Sequence, residues 1–350
     1  MNRHYRQPWL KFLLATFFSF ALLLFLSPPA TATAKLIIGY ATHNARIAPV
    51  WVAQEQGFFA KYGIDTEQVY VRAATILVAG LSSGEIQIGR SGGSATLSAV
   101  AVGHDFKIVA TFSSRNPYDL VARPNVKKAE DLRGKTFGVT SIGGTTWMGA
   151  LLWLEQLGLD PQRDQIQLQA IGDQNTQTQA IETGIVDAGV LDGTYSRRLR
   201  QKGFTILGEH ADLKKPVLGQ AMVVPRLFLQ QRADIVENYL KAEIEALAFA
   251  FAPKNKPAKN KPAMIRLLMR RLKTDAAGAE DGYADLVGGI ERRPFPSLDG
   301  LRNIQRLMKI RSPKVGEVKA EDIIDGRIMQ RLDESSFIER AYAAQGVNLK

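Results

Sequence analysis

The chain has 350 residues, no cysteine and a formal net charge of +11. Without cysteine there are no disulfides, no thiolate metal sites and no cysteine nucleophile. The basic residues are scattered, densest in the C-terminal third, and lack the aromatic-plus-basic interleaving of a nucleic-acid groove, so no nucleic-acid partner is expected.

Residues 1–34 read as a cleavable signal peptide. Arg3, Arg6 and Lys11 form a positive start, and Phe12–Leu26 is an apolar run broken only by Thr16 and Ser19. Pro28-Pro29 and the small residues Ala30–Ala34 then offer cleavage after Ala32 or Ala34. The apolar run falls short of the roughly 20 residues that a membrane span needs. Removal of residues 1–34 takes 350 residues at +11 to 316 residues at +8. That remainder is long for one core and predicts two domains. The expected location is the periplasm.

From Lys35 onward strands and helices alternate. Strands are expected at Leu36–Gly39, Ile86–Gly89, Lys107–Phe112, Tyr118–Ala122, Thr136–Thr140, Gln165–Ala170, Ala188–Leu191, Phe204–Leu207 and Ala221–Pro225. Helices are expected at Pro49–Gln56, Ala73–Gly80, Ser94–Val102, Thr145–Leu157, Thr176–Thr183 and Ser196–Lys202. This alternation predicts α/β layers with mostly parallel strands. After Pro225 the pattern turns helical, with candidates at Arg226–Phe251, Met264–Leu272, Leu298–Met308, Ala320–Ile323 and Arg327–Gln345. Lys254-Asn255-Lys256-Pro257-Ala258 is repeated as Lys259-Asn260-Lys261-Pro262-Ala263 and reads as a duplicated solvent loop.

Four polar loops each follow a strand and precede a helix. They are Thr42-His43-Asn44, then Ser91-Gly92-Gly93-Ser94, then Ser141-Ile142-Gly143-Gly144-Thr145-Thr146, then Asp192-Gly193-Thr194-Tyr195. In open α/β folds such loops gather at the carboxyl edge of the sheet, where ligands bind. Glycine allows close backbone approach, hydroxyls supply hydrogen bonds, and helix N-termini present free N–H groups. Ser94 reads as an N-cap. Hydrogen bonding to a ligand is expected from Thr42, Asn44, Ser91, Ser94, Ser141, Thr145 and Thr146, with Gly92 and Gly144 at close backbone approach. Trp51 and Tyr195 are expected as walls. His43 is a ligand contact or a general base, and Asp192 either meets a cationic group or caps the next helix. Neither a dinucleotide fingerprint nor a phosphate-binding P-loop is present, and no cofactor or metal is expected.

These segments resemble a known family. Gly39-Tyr40, Pro49-x-x-x-Ala53-x-Glu55-x-Gly57-Phe58-Phe59 and Gly63-Ile64 resemble the opening of periplasmic solute-binding proteins of the nitrate/sulfonate/taurine importer group, within the thiamine-pyrimidine-synthase-like superfamily. Leu81-x-x-Gly84-Glu85-Ile86, Asp131-Leu132-Arg133-Gly134-Lys135 and Gln179-Ala180-x-x-x-Gly184-x-Val186-Asp187-Ala188 are similar to later blocks of the same family. The resemblance implies a type II periplasmic-binding fold, with two lobes of mixed, mostly parallel sheets, two crossovers, a helical C-terminal tail and a ligand in the cleft. Lobe one would span 35–114 with 226–350, and lobe two 116–219. The first loop departs from that of sulfonate and nitrate binders, which leaves the ligand's charge open.

The expectation is a monomer that carries a small-molecule ligand to an inner-membrane ABC permease and performs no chemistry. Two alternatives stand beside it: a ligand sensor for a membrane receptor, and an exported enzyme using His43 and Asp192.

Overall fold

The computed structural model describes residues 34–213, 215–251, 259–309 and 312–349. The expected leader lies outside these residues up to residue 33, and so does Lys254–Ala258, the first copy of the repeat. Ala34 already pairs with Ile64 as the first residue of a strand.

Strand β1 (Ala34–Tyr40) carries the first apolar run and buries Leu36, Ile38 and Tyr40. It pairs in parallel with β2 (Ile64–Tyr70) on one side and β3 (Ile88–Ser91) on the other. Sheet one is completed by β4 (Phe106–Ser113) at the edge, in the order β2-β1-β3-β10-β4. The chain then crosses to sheet two, built of β5 (Tyr118–Ala122), β6 (Thr136–Val139), β7 (Gln167–Ala170), β8 (Ala188–Asp192) and β9 (Thr205–Gly208) in the order β7-β6-β8-β5-β9. It returns through β10 (Gln220–Pro225), antiparallel to both β3 and β4. In sheet two β5 plays the same part, antiparallel to β8 and β9. Each sheet thus has four strands running one way and one reversed strand in the fourth place. This is the two-lobe, two-crossover, mostly parallel arrangement that the resemblance implies.

Nine of the ten strands fall where the sequence places them; β2 does not. Its residues Asp65, Thr66, Glu67 and Gln68 are polar because β2 is an edge strand, and only Ile64 is fully buried. The helical tail also differs in detail. Arg226–Phe251 is two helices, Arg226–Gln231 and Ala233–Ala250, parted at Arg232. Arg327–Gln345 is broken at Ser336, whose φ of 55° is left-handed. Ala276–Gly289 is a helix that its four glycines conceal in the sequence. The second copy of the repeat is not all loop, because Lys261-Pro262-Ala263 opens the helix Lys261–Leu272, with proline in the first turn where its missing N–H costs nothing.

Beneath the middle of sheet one lies a buried ion pair. The Arg90 guanidinium on β3 donates to both carboxylate oxygens of Glu243 at 2.6 Å and to Gln220 Oε1 on β10 at 3.0 Å. Its plane stacks on Phe112 of β4 at 3.5 Å, and both charged side chains are wholly buried. Burial pushes the Glu243 carboxyl upward and the Arg90 charge pulls it back. The pair joins three strands to the long helix Ala233–Ala250. Leaving one such charge alone costs about 3–5 kcal/mol, whereas replacing both with apolar side chains is often neutral. Glu243→Ala is therefore expected to lower stability by about that amount in urea titration, and Arg90→Met/Glu243→Leu to recover most of it.

Candidate functional site

The carboxyl ends of the parallel strands of both sheets face one another. Between them lies a cavity of about 180 Å³. From sheet one it is lined by Ala41, Thr42, His43 and Asn44 after β1, and by Tyr70 and Arg72 at the end of β2. From sheet two it is lined by Thr140, Thr145 and Thr146 after β6, Asp173, Gln174 and Asn175 after β7, and Asp192 and Tyr195 at β8, with Tyr118 at the crossover. A narrower recess beside it is walled by Thr42, Ser91 and Gly92 from one lobe and Thr140, Ser141, Gly144 and Thr145 from the other. The four polar loops expected from the sequence do converge.

Asn44 links the two lobes. It caps the short turn Ala45–Ile47 by accepting the Arg46 N–H on Oδ1 at 3.1 Å. That bond fixes the amide so that Nδ2 donates across the cleft to Asp192 Oδ2 at 3.3 Å. Asp192 occupies the N-cap position of the helix Gly193–Gln201, and its backbone N–H is held by Gln174 Oε1 at 3.0 Å. Burial and the nearby Asp285 carboxylate raise its pKa to about 6, against the pull of Arg46 and the Asn44 bond. Burial, then Asp192, pushes the Tyr195 hydroxyl to about 12, so it stays a neutral donor.

His43 is exposed on the loop after β1. Desolvation lowers its pKa, outweighing the hydrogen bond to Arg271, so the ring is neutral near pH 7. Its Nε2 lies 3.0 Å from the Arg271 carbonyl, a pure acceptor, which places the proton on Nε2 and leaves the Nδ1 lone pair free of it. The ring packs within 5.1 Å of Tyr70 and 5.5 Å of Trp51, centre to centre.

Two expectations need correction. Trp51 is fully buried behind His43 and Tyr40 and lines no part of the cavity, because its helix turns that face into the core of sheet one. Ser94 is not an N-cap. Gly92 holds that position, and Ser94 lies one residue inside the helix Gly93–Ala101, buried near the crossovers. Thr146 lines the cavity but also anchors the loop: it accepts the Thr140 N–H at 2.9 Å and bonds the Thr140 hydroxyl at 2.8 Å. Sequence reasoning missed Tyr70 and Arg72 because it missed β2. It passed over Asp173-Gln174-Asn175, although Asp173 caps its helix through Thr176 at 2.9 Å. A cap directly after a strand was the signal for a fifth loop.

The lobes touch at several points. A β-carbon on Gly92 would lie 1.9 Å from Thr145 Cγ2, so only glycine lets these two loops meet. Arg197 of lobe two pairs with Asp281 at 2.8 Å and Asp285 at 3.4 Å on the helix Ala276–Gly289. At the other side Arg306 donates to Glu155 at 2.7 Å.

Comparison with known proteins places the chain. The family model described as NMT1/THI5 like matches residues 44–256, more than half of the sequence. The chain belongs to the NMT1/THI5-like family. No curated protein matches it by sequence. Among solved structures, the nitrate-binding protein of Synechocystis PCC 6803 superposes with a TM-score of 0.71 at 13% identity, over 87% of this chain and 89% of that one. The alkanesulfonate-binding protein of Xanthomonas axonopodis pv. citri, bound to MOPS, gives 0.67 at 18% identity, over 84% and 98%. The aliphatic sulphonate-binding protein of Escherichia coli gives 0.66 at 20% identity, over 85% and 92%. At these identities the likeness is one of fold.

Two measurements probe the site. Gly92→Val is expected to hold the loops apart, enlarging the radius of gyration in small-angle scattering and reducing ligand affinity by roughly tenfold or more, equivalent to about 1.4 kcal/mol. The second is pH. The folded chain holds the Asp192 proton up to about 6, against an ordinary value of 3.8. The stability linked to this group is therefore complete below 3.8 and falls by about 3 kcal/mol as pH rises through 6. Asp192→Asn is expected to remove that part of the slope in melts between pH 4 and 7.

Proposed function

We propose that this protein is an exported solute-binding protein. It captures a small organic ligand between its lobes and presents it to an inner-membrane ABC permease. Lobe one comprises residues 35–114 with 226–350, and lobe two residues 116–219. The chain acts as a monomer after the leader is removed. The observation that carries this reading is the cavity itself, bounded by strand-end loops of both lobes and bridged by the Asn44–Asp192 bond. The fold likeness to nitrate- and sulfonate-binding proteins supports it.

In this reading Thr42, Asn44, Asp192 and Tyr195 contact the ligand's polar groups, and Tyr70, Tyr118 and His43 pack against it. Ser91, Gly92, Ser141, Gly144 and Thr145 border the recess where the two lobes meet. No catalytic step is assigned. His43 Nε2 is engaged with a backbone carbonyl, and Asp192 is held by Asn44.

Residues 35–350 are to be melted in the presence of sulfonates, nitrate, pyrimidines, polyamines and aromatic acids. A saturable rise in melting temperature is expected for one class, because a ligand bound only to the folded state stabilises it; 100-fold excess over Kd corresponds to about 2.7 kcal/mol. Asp192→Asn is expected to weaken a ligand that donates to this carboxylate by roughly tenfold, about 1.4 kcal/mol. A folded, ligand-free chain that responds to nothing would count against the transport reading.

A further inference from the structure

The polar cavity is not the whole of the cleft. A second chamber, of about 300 Å³, lies between the helices Ala74–Ser83 and Gly93–Ala101 of lobe one and the loop Ser141–Gly144 of lobe two. Its wall is mainly apolar: Ala74, Val78, Ala95, Ala99, Val102 and Ile142. The narrow recess between the lobes lies between the two. It shares Ala74, Ser141 and Gly144 with the apolar chamber, and Thr42, Arg72 and Thr145 with the polar cavity.

Two of the apolar residues lining the chamber are largely exposed. Val102 and Ile142, on opposite lobes, form its lip and are 70% and 54% exposed. Scattered exposed apolar residues need no explanation, but an apolar chamber between the two lobes and next to a binding cavity does. The polar cavity alone would hold a compact, hydrogen-bonding group. The pair of chambers fits a longer molecule with one polar end.

We infer that the apolar chamber is the second half of the ligand site and takes an alkyl or aryl tail, whose polar head lies by Thr42, Asp192 and Tyr195. This rests on the ligand-binding reading above. It makes the ligand amphipathic and places its tail across both lobes, so that tail contact adds to lobe closure.

Two homologous series serve as probes, n-alkylammonium and n-alkanesulfonate ions from ethyl to octyl, each kept below its micellar concentration. They are titrated calorimetrically into residues 35–350. Affinity in one series is expected to rise by roughly threefold to fourfold per methylene, the worth of a buried CH₂, until the chamber is filled. Ser98→Trp, which fills the chamber, is expected to flatten this dependence. Val102→Asp, at an exposed position that folding does not require, is expected to weaken the longer members and spare the shortest. Binding that is indifferent to chain length, or a length dependence that both variants leave intact, overturns the inference. So does a ligand from the metabolite panel that has no apolar substituent and binds wild type and Val102→Asp equally. If no probe or panel compound binds the folded chain, the ligand-binding reading itself fails and the tail chamber falls with it.

Discussion

The buried pair Arg90–Glu243 is the constraint on which the site depends. Arg90 immediately precedes Ser91-Gly92, the loop that meets Thr145 across the cleft. Its guanidinium is held on one side by the helix Ala233–Ala250, on another by Gln220 of the returning strand, and on its face by Phe112. A charge so deep is costly to desolvate and is tolerated only when paired, as Arg90 is through both terminal nitrogens, though its Nε has no partner among the described residues. The geometry of β3, β4 and β10 is thereby coupled to the C-terminal helices. A loop that must come within van der Waals contact of the other lobe starts from the most firmly fixed residue beneath it.

The cleft has a different physical character on its two sides. On the polar side the lobes are joined by the Asn44–Asp192 bond and by Arg197 between Asp281 and Asp285. Asp285 and Arg197 lie against Gly193, at the start of the helix that Asp192 opens. The Asp285 carboxylate adds to the cost that burial sets on ionising Asp192. On the other side the wall is Ala, Val and Ile, and the lobes are held further out by Arg306–Glu155. Between them the apolar core is continuous: one cluster runs from Leu97 and Ile304 through Leu218 to Leu120 and Trp153.

Most of the fold was legible in the sequence because β-type apolar runs and helical periodicity alternate cleanly from Leu36 to Pro225. What hid from it hid for physical reasons. Strand β2 is polar because it sits at an edge, and with it went Tyr70 and Arg72. The helix Ala276–Gly289 carries glycines, and a β-carbon on one of them, Gly282, would lie 3.1 Å from Ala45 Cβ. The convergence of the loops at Thr42, Ser91, Ser141 and Asp192 followed from strand–loop–helix order alone. Which side chains turn inward did not. Trp51 looks like a cleft wall in the sequence, yet its helix presents it to the core. The pairing of Asn44 with Asp192 joins residues 148 positions apart, and no local pattern announces it.

The position of β10 has a further consequence. Sheet two is assembled from one unbroken stretch, β5 to β9, and can close as soon as that stretch is available. Sheet one cannot, because β10 sits between β3 and β4 and is the last strand among the described residues. Until residues 220–225 arrive, β3 and β4 have unpaired edges facing an empty slot, and Arg90 lacks both Gln220 and Glu243. Lobe one therefore cannot complete its sheet before residues 220–225 are available, whereas every strand of lobe two precedes them in the chain. In a chain that emerges N-terminus first, the lobe that begins first is the lobe that finishes last.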